Sequence, residues 1–218
     1  MCNEAARRRA LNLIREDFSQ LKIRLIFPEG APNLAPLDSI RITDPTLIVR
    51  LGPAGRSSSG ETEAEAIQRR WSWPGPRGQP VYNYRSEGRE FRNGETGGRC
   101  LIPLDGFYEF TAPVVARGEP IPKRKDKWLF TQPDGAGEDA LFCVAGLWRA
   151  GVASAHGGSG EAFTMLTCEP GPDVAPYHAR QIVLMPRAHW ADWLAGEIPA
   201  PDLIAPTPAG ALRVARVR

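Results

Sequence analysis

The chain has no Cys-x-x-Cys pair, only three histidines and no long apolar run, and each shortage removes a class of function. Its four cysteines, Cys2, Cys100, Cys143 and Cys168, lack the spacing of a zinc site or a dithiol redox motif. The three histidines are His156, His178 and His189. Apolar stretches stay under ten residues, whereas a membrane-crossing helix needs about 20. No secretory leader is expected either, because acidic Glu4 falls where a basic region should be and no apolar segment follows. A soluble, cytoplasmic protein with no membrane partner is expected. Net charge is only +2, which excludes the uniformly basic field of a histone-like binder. Among the basic residues Arg dominates, and its planar fork suits phosphate.

What is present is an ordinary globular composition, 42% hydrophobic and 24% charged, in a 218-residue chain long enough for a real core. Asn3 can cap a helix beginning at Glu4, with Leu11, Ile14 and Phe18 as its buried stripe. Cys2 would then lie just outside a helix N-terminus, where the dipole favours its thiolate. Extended runs are expected at 46–51, 81–85, 99–103, 127–131, 141–149 and 163–168. Residues 52–60 and 151–160 read as Gly/Ser-rich surface loops, and 112–126 as an exposed Pro- and Lys/Arg-rich loop. A short helix is expected from Pro186 to Ala195, carrying Trp190 and Trp193 on adjacent turns. Residues 199–218 read as an irregular tail. Without repeats or strict strand–helix alternation, the pattern predicts one α+β domain over 2–218, mostly β.

Four places carry candidate chemistry. The first is Met1-Cys2. Removal of Met1 would leave Cys2 with a free α-amine and a thiol on adjacent carbons, a pair that converts an aldehyde into a five-membered thiazolidine. The amine titrates near neutrality, so it is a usable nucleophile at cellular pH. The second is Asn83, Arg85 and Glu87 on one face of an extended segment, an oxyanion or phosphate holder or else a solvated edge strand. The third is Glu109 between Tyr108 and Phe110. Enclosure there would raise its pKa into the range of a general acid/base, while simple alternation would leave it facing water. The fourth is Tyr177-His178-Ala179-Arg180 ahead of the apolar run Ile182 to Met185. A single histidine is more often structural, and His156 and His189 fall in a Gly/Ser loop and in the expected helix. Cys100, Cys143 and Cys168 sit in apolar runs and read as small buried hydrophobes.

The order of these pieces is more specific than any one of them. Met1-Cys2, Asn33-Leu34-Ala35-Pro36, Asn83-Tyr84-Arg85-Ser86-Glu87, Arg99-Cys100-Leu101-Ile102-Pro103 leading into Gly106-Phe107-Tyr108-Glu109, and His178-Ala179-Arg180 follow one another. Together they resemble the SOS response-associated peptidase (SRAP) family of abasic-site processing proteins. The resemblance implies a compact, largely β fold with barrel-like sheets, a few flanking helices and a channel for single-stranded DNA. It implies that Cys2 bonds covalently to the abasic site and that Asn83, Glu109 and His178 complete the active site. Arg85 and Arg180 would hold DNA, and Trp71 and Trp73 would stack on bases. The implied partner is single-stranded DNA containing abasic sites, met by a monomer near the nucleoid, with no metal or cofactor.

Some positions depart from the pattern. Asn3-Glu4 stands where Gly-Arg is usual, Trp71-Ser72-Trp73-Pro74 replaces Trp-Gly-Leu-Ile-Pro, Phe110 replaces Trp, and the proline after His-x-Arg is lost. Three other classes compete. A glutamine amidotransferase would use the same amine as base, and Asn93-Gly94-Glu95 is similar to one of its elements, but Thr96-Gly97-Gly98 follows instead of an apolar strand. A thiol peptidase and a noncovalent single-strand binder are the others.

Overall fold

The computed structural model describes residues 2–115, 120, 122–153 and 159–218. In chain order it contains β1 (Glu4–Arg7), α1 (Leu11–Ser19), β2 (Ile23–Ile26), β3 (Leu37–Arg41), β4 (Pro45–Arg56) and β5 (Thr62–Trp71). The short strands β6 (Trp73–Pro74), β7 (Pro80–Val81) and β8 (Asn83–Arg85) follow, then β9 (Gly97–Leu104), β10 (Gly106–Thr111) and β11 (Asp126–Thr131). The chain ends with β12 (Phe142–Ala153), β13 (Ser159–Cys168), β14 (Gln181–Ile182), β15 (Leu184–Met185), a 3-10 turn, α2 (Trp190–Ala195), α3 (Ala200–Leu203) and β16 (Arg213–Arg216).

The long strands hydrogen-bond in the order β13-β12-β9-β4-β5, and β5 returns to pair in parallel with β13 through Ala162 opposite Arg70 and Phe163 opposite Trp71. That last pairing closes a five-stranded barrel, which removes the open edges such strands would otherwise expose. A second sheet, β16-β11-β10-β1-β3, grows from the end of β9. The turn between them is Asp105-Gly106. The Asp105 carboxylate accepts the backbone N–H of Arg9 at 2.8 Å. A Cβ on Gly106 would stand 2.8 Å from Leu129 Cδ1 and 3.3 Å from the Phe130 carbonyl oxygen, so a larger residue here would have to push the Leu129 side chain aside.

Both faces of the barrel wall are buried. Leu47 and Val49 of β4 join Phe18, Trp190 and Trp193 in one apolar cluster, while Ile48 between them joins Ile67, Ile102 and Phe163 in another. Strands covered on both sides need unbroken apolar runs, which is why Leu141 to Ala145 lacks polar alternation. Each such fully buried Phe, Ile or Leu contributes roughly 1.5–3 kcal/mol. The helices clip onto this wall. Phe18 and Trp190 rings lie 4.8 Å apart, and the Trp193 indole donates to the Cys100 carbonyl at 2.9 Å.

All six expected strand regions are extended, and the 186–195 helix forms as a 3-10 turn followed by α2. Three expectations fail. Residues 4–7 form a strand and not a helix, because Ala5 and Ala6 are wedged between β10 and β3, and inter-strand pairing outweighs the Asn3 cap and alanine's helix preference. Helix α1 starts only at Leu11, although Ile14 and Phe18 are its buried residues as expected. The 52–60 loop is shorter than expected, since β4 runs on to Arg56 and Gly52 is buried. The tail is not irregular throughout, as β16 adds to the edge of β11 with Val214 opposite Phe130. Strand β5 carried little sequence signal, its first half being Thr62-Glu63-Ala64-Glu65-Ala66. Parts of the loops expected at 112–126 and 151–160, His156 among them, lie outside the described residues.

Candidate active site

Cys2 stands two residues ahead of β1, and β1 lies between β10 and the edge strand β3 of the second sheet. The pairing of Glu4 with Tyr108 and Ala5 with Phe107 draws the N-terminal segment along β10 towards Glu109. Cys2 is 1% exposed and Glu109 2%. The Cys2 backbone N–H donates to the Glu109 carboxylate. Burial is the main reason that the Glu109 carboxyl is raised to about 7, and the Cys2 N–H pulls against it. Of the two readings of Glu109, enclosure is the one the fold adopts.

The Cys2 thiol is pushed well above its ordinary value, first by burial and then by the Glu109 charge. This corrects the expectation of a dipole-stabilised thiolate, since strand backbone and a carboxylate surround the sulfur instead of a helix N-terminus. The thiol donates to the Glu4 carbonyl at 3.4 Å.

Asn83 opens β8, which runs parallel to β13 with Asn83 opposite Met165. Its Nδ2 donates to the Cys2 carbonyl at 2.8 Å. Its Oδ1 is buried and accepts no hydrogen bond from the described residues. A buried acceptor left open beside a reactive residue is a place for a substrate or amine donor.

His178 reaches the same wall by way of Tyr177, whose ring packs 4.7 Å from Trp128 and 5.3 Å from Phe130. Trp128 lies directly across β11 from Glu109. The His178 Nδ1 lies 3.0 Å from both the backbone N–H and the carbonyl oxygen of Arg180, contacts that fix the ring through Nδ1. Burial lowers the His178 pKa, and the Arg180 charge adds to this, so the ring is neutral at pH 7.

The expected DNA-contacting residues fare differently. Arg85 is exposed on β8. Arg180 is committed to an ion pair with Glu87 at 2.7 Å and to the Thr167 carbonyl at 2.8 Å. Trp71 is fully buried and its indole donates to the Tyr82 carbonyl at 2.9 Å, so it is a core residue and has no face for a base. Trp73 is also buried, with the Arg149 guanidinium 4.5 Å over its ring.

Sequence reasoning missed a charged group beside Cys2. The buried Glu4 carboxylate accepts from Lys127 Nζ at 2.7 Å and Ser39 Oγ at 2.6 Å. Burial would raise its pKa, but these two donors prevail and hold it below the usual range. Glu4 sat in plain view two residues from Cys2; Lys127 is 123 positions away and had no local signal. Around Asn3, Glu4, Arg41 and Phe110 lies a shallow cavity of about 330 Å³. A larger one, about 730 Å³ and lined by Arg9, Phe142, Arg187 and Trp190, contains none of the four candidate residues. The shallow cavity is likewise not lined by Cys2, Asn83, Glu109 or His178. Among the described residues no cluster of His, Cys, Asp or Glu could hold a metal, and no helix is long and apolar enough to cross a membrane.

Comparison with known proteins follows the same lines. The family described as SOS response associated peptidase (SRAP) matches residues 1–218. A phage-related protein of Bordetella bronchiseptica has a similar solved structure, with a TM-score of 0.64 and 20% identity over 100% of this chain and 94% of that chain. A protein of Bacteroides thetaiotaomicron is similar over 83% of this chain and 77% of its own, with a TM-score of 0.55 and 14% identity. At such identities the two structures speak for the fold alone. No curated protein matches.

Proposed function

The chain belongs to the SOS response associated peptidase family, and from that premise we propose that it captures abasic sites in single-stranded DNA as a thiazolidine on Cys2, shielding the lesion. Membership ties it to the SOS response to DNA damage and, by the family's name, to peptidases. The observation that carries the finer reading is the Cys2 nitrogen held against a buried carboxyl that titrates near neutrality. Once Met1 is removed, that nitrogen is a primary amine already in contact with its proton carrier.

In the proposed reaction each of these residues has a part. A closed abasic sugar opens when His178 Nε2–H hydrogen-bonds its ring oxygen, freeing the aldehyde. The Cys2 amine adds to C1′ to give a carbinolamine. Protonated Glu109 delivers a proton to the hydroxyl, which departs as water and leaves an iminium. Glu109, now a carboxylate, takes the thiol proton as sulfur adds to the same carbon, which restores its protonated form and leaves the ring nitrogen with one hydrogen. One aldehyde and one aminothiol thus yield one thiazolidine and one water. A carboxyl near 7 serves both halves of this cycle, because each protonation state is well populated. The high pKa of the buried thiol favours this amine-first order over a thiolate hydrolase. Asn83 fixes the Cys2 carbonyl, and its open Oδ1 accepts from the amine. Arg85, exposed on β8, would meet a phosphate. The peptidase label fits removal of Met1 by the protein itself, which intact mass of protein made without host aminopeptidase would reveal.

The test is a denaturing gel of the processed protein with a single-stranded oligonucleotide bearing one abasic site. Wild type should give a denaturation-resistant adduct and Cys2→Ala none. Cys2→Ser should give only an imine, trapped by borohydride. An undiminished adduct in Cys2→Ala sinks the proposal.

A further inference from the structure

Asn83 and Tyr84 are consecutive on β8 and so project to opposite faces. Asn83 reaches Cys2, whereas Tyr84 turns into a groove of about 540 Å³ bordered by Trp73, Trp148, Arg89, Arg92 and Arg149. None of these belongs to the candidate active site as the fold assembles it.

The groove's charge is unusual for a chain whose net charge is only +2. Among the described residues Arg89, Arg92 and Arg149 pair with no carboxylate. The groove's one acid, Glu90, is spent on Arg99 at 2.7 Å and on the Ala200 N–H at 3.0 Å. Two of the arginines are also held flat. Arg89 lies 4.8 Å over the Tyr84 ring and donates to its hydroxyl at 2.7 Å, and Arg149 lies 4.5 Å over Trp73. The Trp148 face is covered in turn by Arg50 at 4.1 Å. Each of these rings has a face taken by a guanidinium. They orient guanidiniums whose edges remain open, so the ordering entropy of two long side chains is already spent. Uncompensated, pre-oriented guanidiniums recognise phosphate.

We propose that this groove is a second nucleic-acid contact, taking the phosphodiester backbone of the strand that flanks the reacting nucleotide, without reading its bases. Exposed Arg85, two residues after Asn83 on β8, is on the Asn83 face, so a strand held both there and in the groove would cross β8 within a few nucleotides. The identity of the polymer rests on the function proposed above; the anion preference rests on the groove alone.

The experiment uses the full chain and an undamaged single-stranded oligonucleotide, so that no chemistry intervenes. Affinity is measured by anisotropy across a salt series for wild type, for the double variant Arg89→Gln with Arg149→Gln, and for Arg92→Gln. Losing two phosphate contacts should lower the log–log salt slope by about 1.4 and the affinity at 0.1 M salt roughly 25-fold, and losing one should lower the slope by about 0.7. Adduct formation on a lesion oligonucleotide at saturating concentration should keep its rate. If the double variant unfolds, Arg92→Gln, an exposed side chain, decides alone. Wild-type slope and affinity in the variants overturn the proposal, as does a groove that binds an acidic peptide while DNA affinity is untouched by its mutation. Absence of any adduct from wild type would instead refute the crosslinking reading and leave the binding comparison standing.

Discussion

Replacing Glu109 by Gln should make the protein more stable and less reactive, and the pH at which the stability appears is fixed by the site. A carboxyl that ordinarily titrates at 4.5 and here titrates at about 7 is, once ionised, held in the fold at a cost of about 3 kcal/mol. Below pH 4.5 the group is protonated whether folded or unfolded, and no penalty exists. Between 4.5 and 7 the unfolded chain releases its proton first, so stability falls as pH rises, and above 7 the loss is complete. Glutamine keeps the shape of the protonated acid and never ionises. Urea unfolding of wild type and Glu109→Gln should therefore diverge by about 2.5 kcal/mol more at pH 8.5 than at pH 5, in favour of the variant. The comparison belongs on chains that retain Met1, checked by intact mass, so that Glu109 faces the Cys2 amide nitrogen in both. On processed protein the same substitution should slow adduct formation by about 100-fold, as loss of a general acid/base does. A stability difference independent of pH, or one that widens towards acid, would refute the argument that burial sets this group's titration.

Two further outcomes are expected beside the Cys2 and groove tests. Ser72 is buried with φ +93°, a left-handed geometry natural to glycine, and its Oγ has no partner among the described residues. Ser72→Gly should therefore raise stability by about 1 kcal/mol in urea, and an unchanged or lower midpoint would show that the site carries no strain. Asn83→Ala removes the donor to the Cys2 carbonyl and should cost about 1–2 kcal/mol. It should also slow the adduct without weakening undamaged-strand binding, and equal adduct rates would remove Asn83 from the chemistry.

Much of the architecture could be read from local pattern because the barrel strands are covered on both faces. Burial of that kind demands runs such as Leu141–Ala145 and Leu101–Leu104, which are visible without coordinates. Strand β5 escaped notice because it fills its buried positions with Ala64 and Ala66, residues with little intrinsic preference for a strand. The first strand was misread for the opposite reason: its local signals favour a helix, and only the slot between β3 and β10 makes residues 4–7 extended. Trp71 and Trp73 looked like base-stacking surfaces in the sequence, yet an aromatic's type says nothing of its direction, and both are buried.

The sequence by itself determined the proposed reagent, a cysteine second in the chain, and the order of Asn83, Glu109 and His178 behind it. Residue type and order are enough for that, since the chemistry of a 1,2-aminothiol is covalent and local. The tertiary structure decided the protonation states. Only burial in the second sheet lifts Glu109 to about 7 and raises the Cys2 thiol, and only the β1–β10 pairing sets the Cys2 nitrogen on the Glu109 carboxylate. Desolvation and pair geometry depend on neighbours far away in the chain, and no local reading of residues contains them.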